Sequence, residues 1–112
     1  SLLPRGNGTV HLDTPSGKKG AFTISLFHQL RCLDILRESL MSFRDPRTRS
    51  EPTRLAHHCM GYLRQMVLCR SNTQLQSVRN HTGTRITVSD VTGRCQDWTA
   101  VYTEVEDNHG RF

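Results

Sequence analysis

The sequence predicts a mainly α-helical, small domain of three helices, with a short β element at its N-terminal end and disulfide bonds that stabilise it. Three observations lead to this prediction: leucines that recur at helical spacing, a second apolar stripe that follows a proline, and an even number of cysteines, four, in 112 residues. A chain of this length forms one domain with a modest core, so we expect residues 1–112 to be a single domain. Domains of this size often need covalent support as well.

The N-terminal β element is predicted from a region rich in Gly and Pro. Residues 9–12 alternate enough for a short edge strand, and residues 15–20 are typical of a turn. Residues 22–24 are then in place to pair with the first strand as a hairpin.

The first helix is predicted from Ser25, a good N-cap residue, to Phe43, just before Asp45-Pro46. Its leucines share one face. They are Leu26, Leu30, Leu33, Leu36 and Leu40.

The second helix is predicted from Pro52, which suits a first turn, to Cys69, and the third begins near Thr92. The tail from Asn108 onwards is expected to fray. Two apolar stripes define these helices, and we expect the Trp98 and Tyr102 side chains to belong to the core. The stripes are Leu55, Cys59, Tyr62, Leu63 and Met66, then Cys95, Trp98, Val101, Tyr102 and Val105.

Charge and aromatic content argue against a nucleic-acid partner. The net charge is +5, but the arginines are scattered and only one Trp and two Tyr are present for base stacking. A solvated basic surface explains the charge, and no nucleic acid is expected as a partner.

Cysteines and glycosylation sequons indicate a secretory, oxidising compartment. The cysteines form no CxxC pair, and two sequons occur, at Asn7 and Asn80. The sequence contains neither an apolar run near the roughly 20 residues that span a bilayer nor a signal-peptide pattern. Because the chain starts at Ser1 without Met, we expect an excised fragment of a secreted or lumenal protein, with any single-pass membrane anchor upstream.

Two similar segments carry the functional prediction. Residues 28–32 read HQLRC and residues 55–59 read LAHHC, each early in a predicted helix. Positions one, four and five of each segment share a helical face, so metal-ligand residue types are gathered on one side of each helix.

These segments resemble the two His-x-x-His-Cys motifs of the fungal UstYa-like family. The resemblance extends over nearly the whole chain, through residues 4–10, 25–30, 62–69 and 95–102. It implies a tailoring enzyme of secondary-metabolite (mycotoxin) biosynthesis in the secretory pathway. Members with complete motifs are understood as copper-dependent oxidases or halogenases that act on peptide or polyketide-type substrates. For partners, we consider a homo-oligomer or a hetero-oligomer with another UstYa-like protein.

Two of the four expected histidine ligands are replaced. Arg31 stands where the first motif has its second His, and Leu55 where the second motif has its first His, while His28 and His58 remain. If the two helices pack antiparallel, His28 meets His58 and Arg31 meets Leu55, which preserves one metal site and removes the other. If each metal is instead held within one motif, both sites are broken. The sequence leaves both arrangements open, and we expect at most one copper ion.

His28 and His58 have three alternative interpretations. They bind one metal ion, copper or zinc, with His57 or His81 as the available third ligand. Alternatively, they act as general acid and base without a metal, and Arg31 holds an enolate or carboxylate. In the third interpretation, a structural zinc ion is bound by His28, Cys32, His58 and Cys59.

Each interpretation has a plainer counterpart. In it, the two histidines line a pocket without a metal, and Arg31 forms a surface salt bridge with Asp34 or Glu38.

The cysteines are expected to be bridged rather than catalytic. One pairing joins Cys32 to Cys59, between the first two helices, and Cys69 to Cys95, between the second and third. Four cysteines allow three pairings, so the connectivity stays open.

The sequence thus supports two classes of function. One is a tailoring enzyme of secondary metabolism, either oxidative and copper-dependent or a redox-neutral cyclase, isomerase or dehydratase that uses His28, Arg31 and His58. The other is an inactive homologue that binds and stabilises a catalytic partner subunit, since missing ligands are what such a subunit would have.

Overall fold

The computed structural model describes residues 2–79, 86–88 and 93–111 and contains three helices in those ranges. A short 3-10 element leads into an N-terminal hairpin of two antiparallel strands, and a second pair of short antiparallel strands separates the last two helices. The predicted fold class, mainly α with a small N-terminal β element and a disulfide, is confirmed. In chain order the elements are the 3-10 element Arg5–Gly8, β1 Thr9–Asp13, β2 Lys19–Thr23, α1 Ser25–Arg44, α2 Arg54–Arg70, β3 Ser77–Arg79, β4 Ile86–Val88 and α3 Trp98–Arg111.

The N-terminal segment makes a left-handed turn against the start of α1. Gly6, Asn7 and Gly8 have φ angles of 74°, 57° and 82°, which favour glycine and asparagine. A Cβ atom on Gly8 would lie 2.4 Å from the Cβ of Phe27, so only glycine allows the backbone to pass this close to the helix. The turn therefore lays the N-terminal segment beside the face of α1 that carries the HQLRC motif.

The hydrophobic core lies where the hairpin, α1 and α3 meet. Val10, Phe27 and Val105 are buried together, and the Tyr102 ring meets Phe27 edge to face with centroids 4.9 Å apart. Half-buried apolar side chains surround them. These are Leu3, Ile24, Leu26, Leu30, Val101 and Tyr102 itself.

The end of α3 is tied to β1 by a side-chain amide. The backbone N–H of His11 donates to Asn108 Oδ1 at 2.8 Å, and Asn108 Nδ2 donates to the His11 carbonyl at 3.0 Å. Asn108 is buried, and α3 continues to Arg111. The predicted fraying from Asn108 is therefore wrong, because this residue pairs with both backbone groups of a strand residue.

The start of α3 also differs from the prediction. The helix begins at Trp98 rather than near Thr92, because the Asp97 carboxylate accepts hydrogen bonds from the Thr99 hydroxyl and the Ala100 N–H. These bonds hold the pKa of the Asp97 carboxyl below its usual value. Trp98 is 58% exposed, so the expectation that it is core is wrong, whereas Tyr102 is half-buried against Phe27.

The first two helices begin and end close to their predicted bounds. Residue Ile24 precedes α1 in extended conformation, so Ser25 is its first residue rather than its cap. The N-cap of α2 is Thr53, whose hydroxyl accepts from the N–H of Ala56 at 3.1 Å. No helix in the described ranges combines the length and apolar character that crossing a membrane requires.

Of the predicted disulfides, one is formed. Cys32 of α1 is bonded to Cys59 of α2, as expected. Cys69 and Cys95 are both exposed free thiols, so the prediction that they pair is wrong. The reason lies in the packing of α3, which follows Cys95 and contacts β1 and the Arg5–Gly8 element, whereas Cys69 lies near the C-terminal end of α2.

A candidate active-site cleft between the first two helices

Helices α1 and α2 pack against each other in opposite directions. The Cys32–Cys59 disulfide joins them with Cα atoms 5.0 Å apart. One turn before Cys32, His28 stacks on Tyr62, which lies one turn after Cys59. Going forward along α1 therefore means going backward along α2, and this is the packing in which position one of one motif faces position four of the other.

A cleft of about 460 Å³ opens between the two helices and the N-terminal segment. All three predicted catalytic residues, His28, Arg31 and His58, line it. The left-handed turn closes one side, and the Cys32–Cys59 disulfide is part of the wall. The full lining is Gly6, Asn7, Thr9, Thr23, Phe27, His28, Arg31, Cys32, Ile35, Leu55, His58 and Cys59.

The two retained histidines form a cross-helix pair in this cleft. Their ring centroids are 6.4 Å apart and their planes are inclined by 25°. His28 is half-buried and His58 is exposed, so the pair is accessible from the cleft. The geometry matches the pairing expected for antiparallel helices.

Tyr62 packs against the histidine pair, although sequence reasoning assigned it only to an apolar stripe. Its ring lies against the His28 imidazole with centroids 3.9 Å apart and planes inclined by 24°. Tyr62 follows His58 by four residues on α2, a spacing that places both on one helical face. That spacing is the sequence feature from which the position of Tyr62 beside the histidines could have been predicted.

Arg31 and Leu55, which replace the other two histidines, line the same cleft. The Arg31 side chain is exposed and, within the part of the chain that is described, makes no hydrogen bond or ion pair. A salt bridge to Asp34 or Glu38 is therefore not formed among these residues. None of the residues that line the cleft is acidic.

The donor set limits which metal site is feasible. Cys32 and Cys59 are consumed by their disulfide, so neither offers a thiolate and the structural zinc interpretation is wrong. His57 lines a separate groove with Leu36 and Met60, and so is not a third ligand in the cleft. His81 and the sequon residue Asn80 lie outside the described residues. Across residues 2–79, 86–88 and 93–111, no three His, Cys, Asp or Glu side chains come together as a metal site.

The ring separation of the histidine pair is close to that of two imidazoles that share an ion. With metal–nitrogen bonds of about 2.0–2.1 Å, two imidazoles that share an ion place their ring centroids roughly 6 Å apart or less. The observed 6.4 Å requires only a small approach of the exposed His58 ring. The pair would supply two ligands, and the remaining positions would be open to substrate or water.

Comparison with known proteins agrees with the motif resemblance. The family model described as "Mycotoxin biosynthesis protein UstYa" matches residues 4–104. The chain is 34% identical over 90 residues to "Oxidase ustYa" of Aspergillus flavus, covering 76% of this chain and 40% of that protein. It is 31% identical over 87 residues to "UstYa family oxidase phomYb" of Diaporthe leptostromiformis, covering 68% of this chain and 35% of that protein.

The chain thus spans less than half the length of these two relatives, at 40% and 35%. No solved structure gives a significant match. Because the family model covers most of the chain, together with both motif-bearing helices, the chain belongs to the UstYa family.

Proposed function

We propose that this protein is an oxidative tailoring enzyme of fungal secondary-metabolite biosynthesis, with His28 and His58 as its reactive centre. The substrate would be a peptide or polyketide-type natural product bound in the cleft between α1 and α2. The observation that carries the proposal is the cross-helix histidine pair, 6.4 Å between ring centroids, in an open cleft of about 460 Å³. Both relatives are named as oxidases, which supports the oxidative assignment.

The chain's own residues divide the work of such a site. His28 and His58 would hold a single copper ion, which supplies one-electron oxidation chemistry when bound. Tyr62 fixes the plane of the His28 ring by stacking on it at 3.9 Å. The Cys32–Cys59 disulfide fixes the spacing of the two helices beside the pair.

A second candidate, a redox-neutral cyclase, isomerase or dehydratase, is favoured by Arg31. Two imidazoles on opposite helices can act as base and acid, since histidine exchanges protons near neutral pH. An unpaired guanidinium in the same cleft would stabilise an enolate that forms after proton removal. This chemistry uses the same residues without a metal.

The experiment that separates these candidates measures metal content and product formation together. Protein loaded with copper is expected to retain at most one ion per chain, and His28→Ala or His58→Ala to lose both the ion and the product. His57→Ala is the matched control, because His57 lies on α2 but outside the cleft. Melting temperatures must stay close to that of the parent, because the loss of a buried polar contact can also unfold a protein.

Each alternative outcome points to a definite conclusion. Product loss without any bound copper indicates acid–base chemistry by the same pair. Product formation that survives both substitutions contradicts the proposal and favours an inactive subunit that stabilises a catalytic homologue. Two tightly held copper ions per chain would contradict the interpretation of the replaced ligands.

We also propose that the protein works in the lumen of the secretory pathway or after secretion. The exposed Asn7 of the first sequon lies at the rim of the cleft, where a transferase can reach it. Protein made in a eukaryotic secretory host should carry a glycan there, visible in the intact mass. Asn7→Gly should abolish that glycan without backbone strain, because glycine accepts the φ of 57°. An unmodified Asn7 in such material would contradict the assignment.

A further inference from the structure

The cleft has a second half whose chemistry differs from that of the histidine pair. Arg31 follows His28 by one turn of α1, and Leu55 precedes His58 by one turn of α2. Both line the cleft, and the Cys32–Cys59 disulfide fixes their two helical turns to each other. The positions that would complete a second histidine pair therefore carry a cation and an aliphatic side chain instead.

The cation is available for a ligand. Arg31 has no hydrogen bond or ion pair within the described part of the chain, and no acidic residue lines the cleft. A guanidinium is permanently charged and presents a planar fork of donors that matches a carboxylate. The charge of this half of the cleft is thus uncompensated by its own walls, which favours an anionic group.

The aliphatic wall restricts what the anion is attached to. Leu55 is 51% exposed although it lines a concave site, and Ile35, one turn beyond Arg31 on α1, is half-buried and lines the same cleft. Covering such apolar surface is favourable, at roughly 25 cal/mol per Å². A ligand that covers Leu55 while it reaches Arg31 must carry an apolar group beside its charge.

We propose that this half of the cleft, which we call the Arg31 subsite, binds a carboxylate whose neighbouring carbon bears an aliphatic side chain. The free C-terminal end of a peptide substrate and a branched carboxylic acid share this chemistry. The inference deepens the proposed function, on which it rests, by naming the part of the substrate that is recognised. Three helical residues rise about 4.5 Å, so the carboxylate would lie about one turn from the histidine pair, with the reacting position close to it.

The test is a binding titration that needs no turnover. N-acetyl-leucine is titrated into the full chain and followed by amide chemical shifts in NMR spectra, with N-acetyl-leucinamide as the neutral probe and 4-methylpentanoate as the simple acid. We expect both acids to bind at least about tenfold more tightly than the amide, since a charge-assisted bidentate pair is lost in the amide. If 4-methylpentanoate binds as tightly as N-acetyl-leucine, a simple branched acid is sufficient as the ligand. If 4-methylpentanoate binds more weakly, the ligand is the C-terminal end of a peptide.

Variants assign the binding to the Arg31 subsite. Arg31→Gln should weaken acid binding at least about tenfold, and Arg31→Lys by less, because charge is kept and the fork is lost. Arg37→Gln is the matched control, an exposed arginine on α1 that does not line the cleft. Three results would overturn the proposal. They are equal affinities for acid and amide, an equal loss of acid affinity in Arg31→Gln and Arg37→Gln, and no binding of either acid to a folded parent.

Failure of this inference is distinguishable from failure of the proposed function. Suppose that acid binding depends on Arg31, but that the histidine substitutions leave product formation intact. This result supports the Arg31 subsite and contradicts the proposed reactive centre. Conversely, loss of product in the histidine variants without any preference for the acid removes the Arg31 subsite alone.

Discussion

The imidazole of His28 lies face to face with the ring of Tyr62, with centroids 3.9 Å apart and planes inclined by 24°. The contact joins α1 to α2 one turn from the Cys32–Cys59 disulfide, so the histidine is held from the neighbouring helix rather than from its own. Such a contact limits the orientations of the His28 ring and leaves its edge free for a ligand or a proton.

Replacing the aromatic ring of Tyr62 should loosen the His28 side chain. We expect Tyr62→Leu to weaken copper binding or to reduce product formation by roughly two- to tenfold, because ring stacking contributes about 0.5–1.5 kcal/mol. Tyr62→Phe keeps the ring and should stay within about twofold of the parent. Copper affinity by chelator competition and product yield are the measurements. Equal losses in the two variants would assign the effect to the hydroxyl instead of the stack.

Restoring the missing histidines should restore the second metal site. In the double variant Arg31→His/Leu55→His, the new imidazoles would face each other across the cleft as His28 and His58 do. We expect the copper content to rise from at most one ion per chain to two, measured by metal analysis. Each single substitution, which supplies one imidazole, is the control. A double variant that binds no more copper than the parent would contradict the cross-helix pairing.

The disulfide between α1 and α2 should carry much of the stability of the cleft. Cys32 and Cys59 are 27 residues apart in the sequence. Closing such a loop stabilises a domain by roughly 3–4 kcal/mol in the chain-entropy model. Cys32→Ala/Cys59→Ala should lower the free energy of unfolding by about that amount in urea denaturation.

The matched control for this change is Cys69→Ala/Cys95→Ala, which removes two exposed free thiols. It should leave the free energy of unfolding nearly unchanged, and alkylation of the native parent should label these two cysteines only. A comparable loss in the control, or an unlabelled parent, would show that Cys69 and Cys95 are bonded in solution.

The side-chain amide of Asn108 should contribute more to the free energy of unfolding than an ordinary surface side chain. It satisfies both backbone groups of His11, at 2.8 Å and 3.0 Å, and Asn108 is only 8% exposed. Asn108→Ala should cost about 1–3 kcal/mol of stability, the usual effect of leaving buried backbone groups without a partner. Glu106→Ala, an exposed neighbour on α3, should cost little. A stable Asn108→Ala protein would mean that the Asn108 amide is dispensable and that the packing of Val105 against Val10 suffices to hold β1.

Local patterns predicted the helices and three of the residues that line the cleft. Apolar residues at helical spacing placed α1 and α2 within a few residues, and the two motifs named His28, Arg31 and His58, which the structure brings into one cleft. Patterns of this kind succeed because residues three and four apart share a helical face whatever the rest of the chain does. The Cys32–Cys59 bridge was one of the pairings that the sequence left open, and the packing of α1 against α2 decided it.

Predictions that depended on where α3 lies were less successful. The sequence by itself shows that Trp98 and Tyr102 share a face and that four cysteines can pair, but not which surface that face meets. The packing of α3 against β1 buries Val105 and Asn108, leaves Trp98 exposed and leaves Cys69 and Cys95 unpaired.

The residue types and their spacing along α1 and α2 were thus determined by the sequence alone. Only the tertiary structure decided that the two helices run antiparallel, that Tyr62 stacks on His28, and that Arg31 and Leu55 share a cleft that no acidic residue lines. The physical reason is that these relationships join residues far apart in the chain. They depend on how apolar faces are buried against one another, and no short-range periodicity encodes that choice.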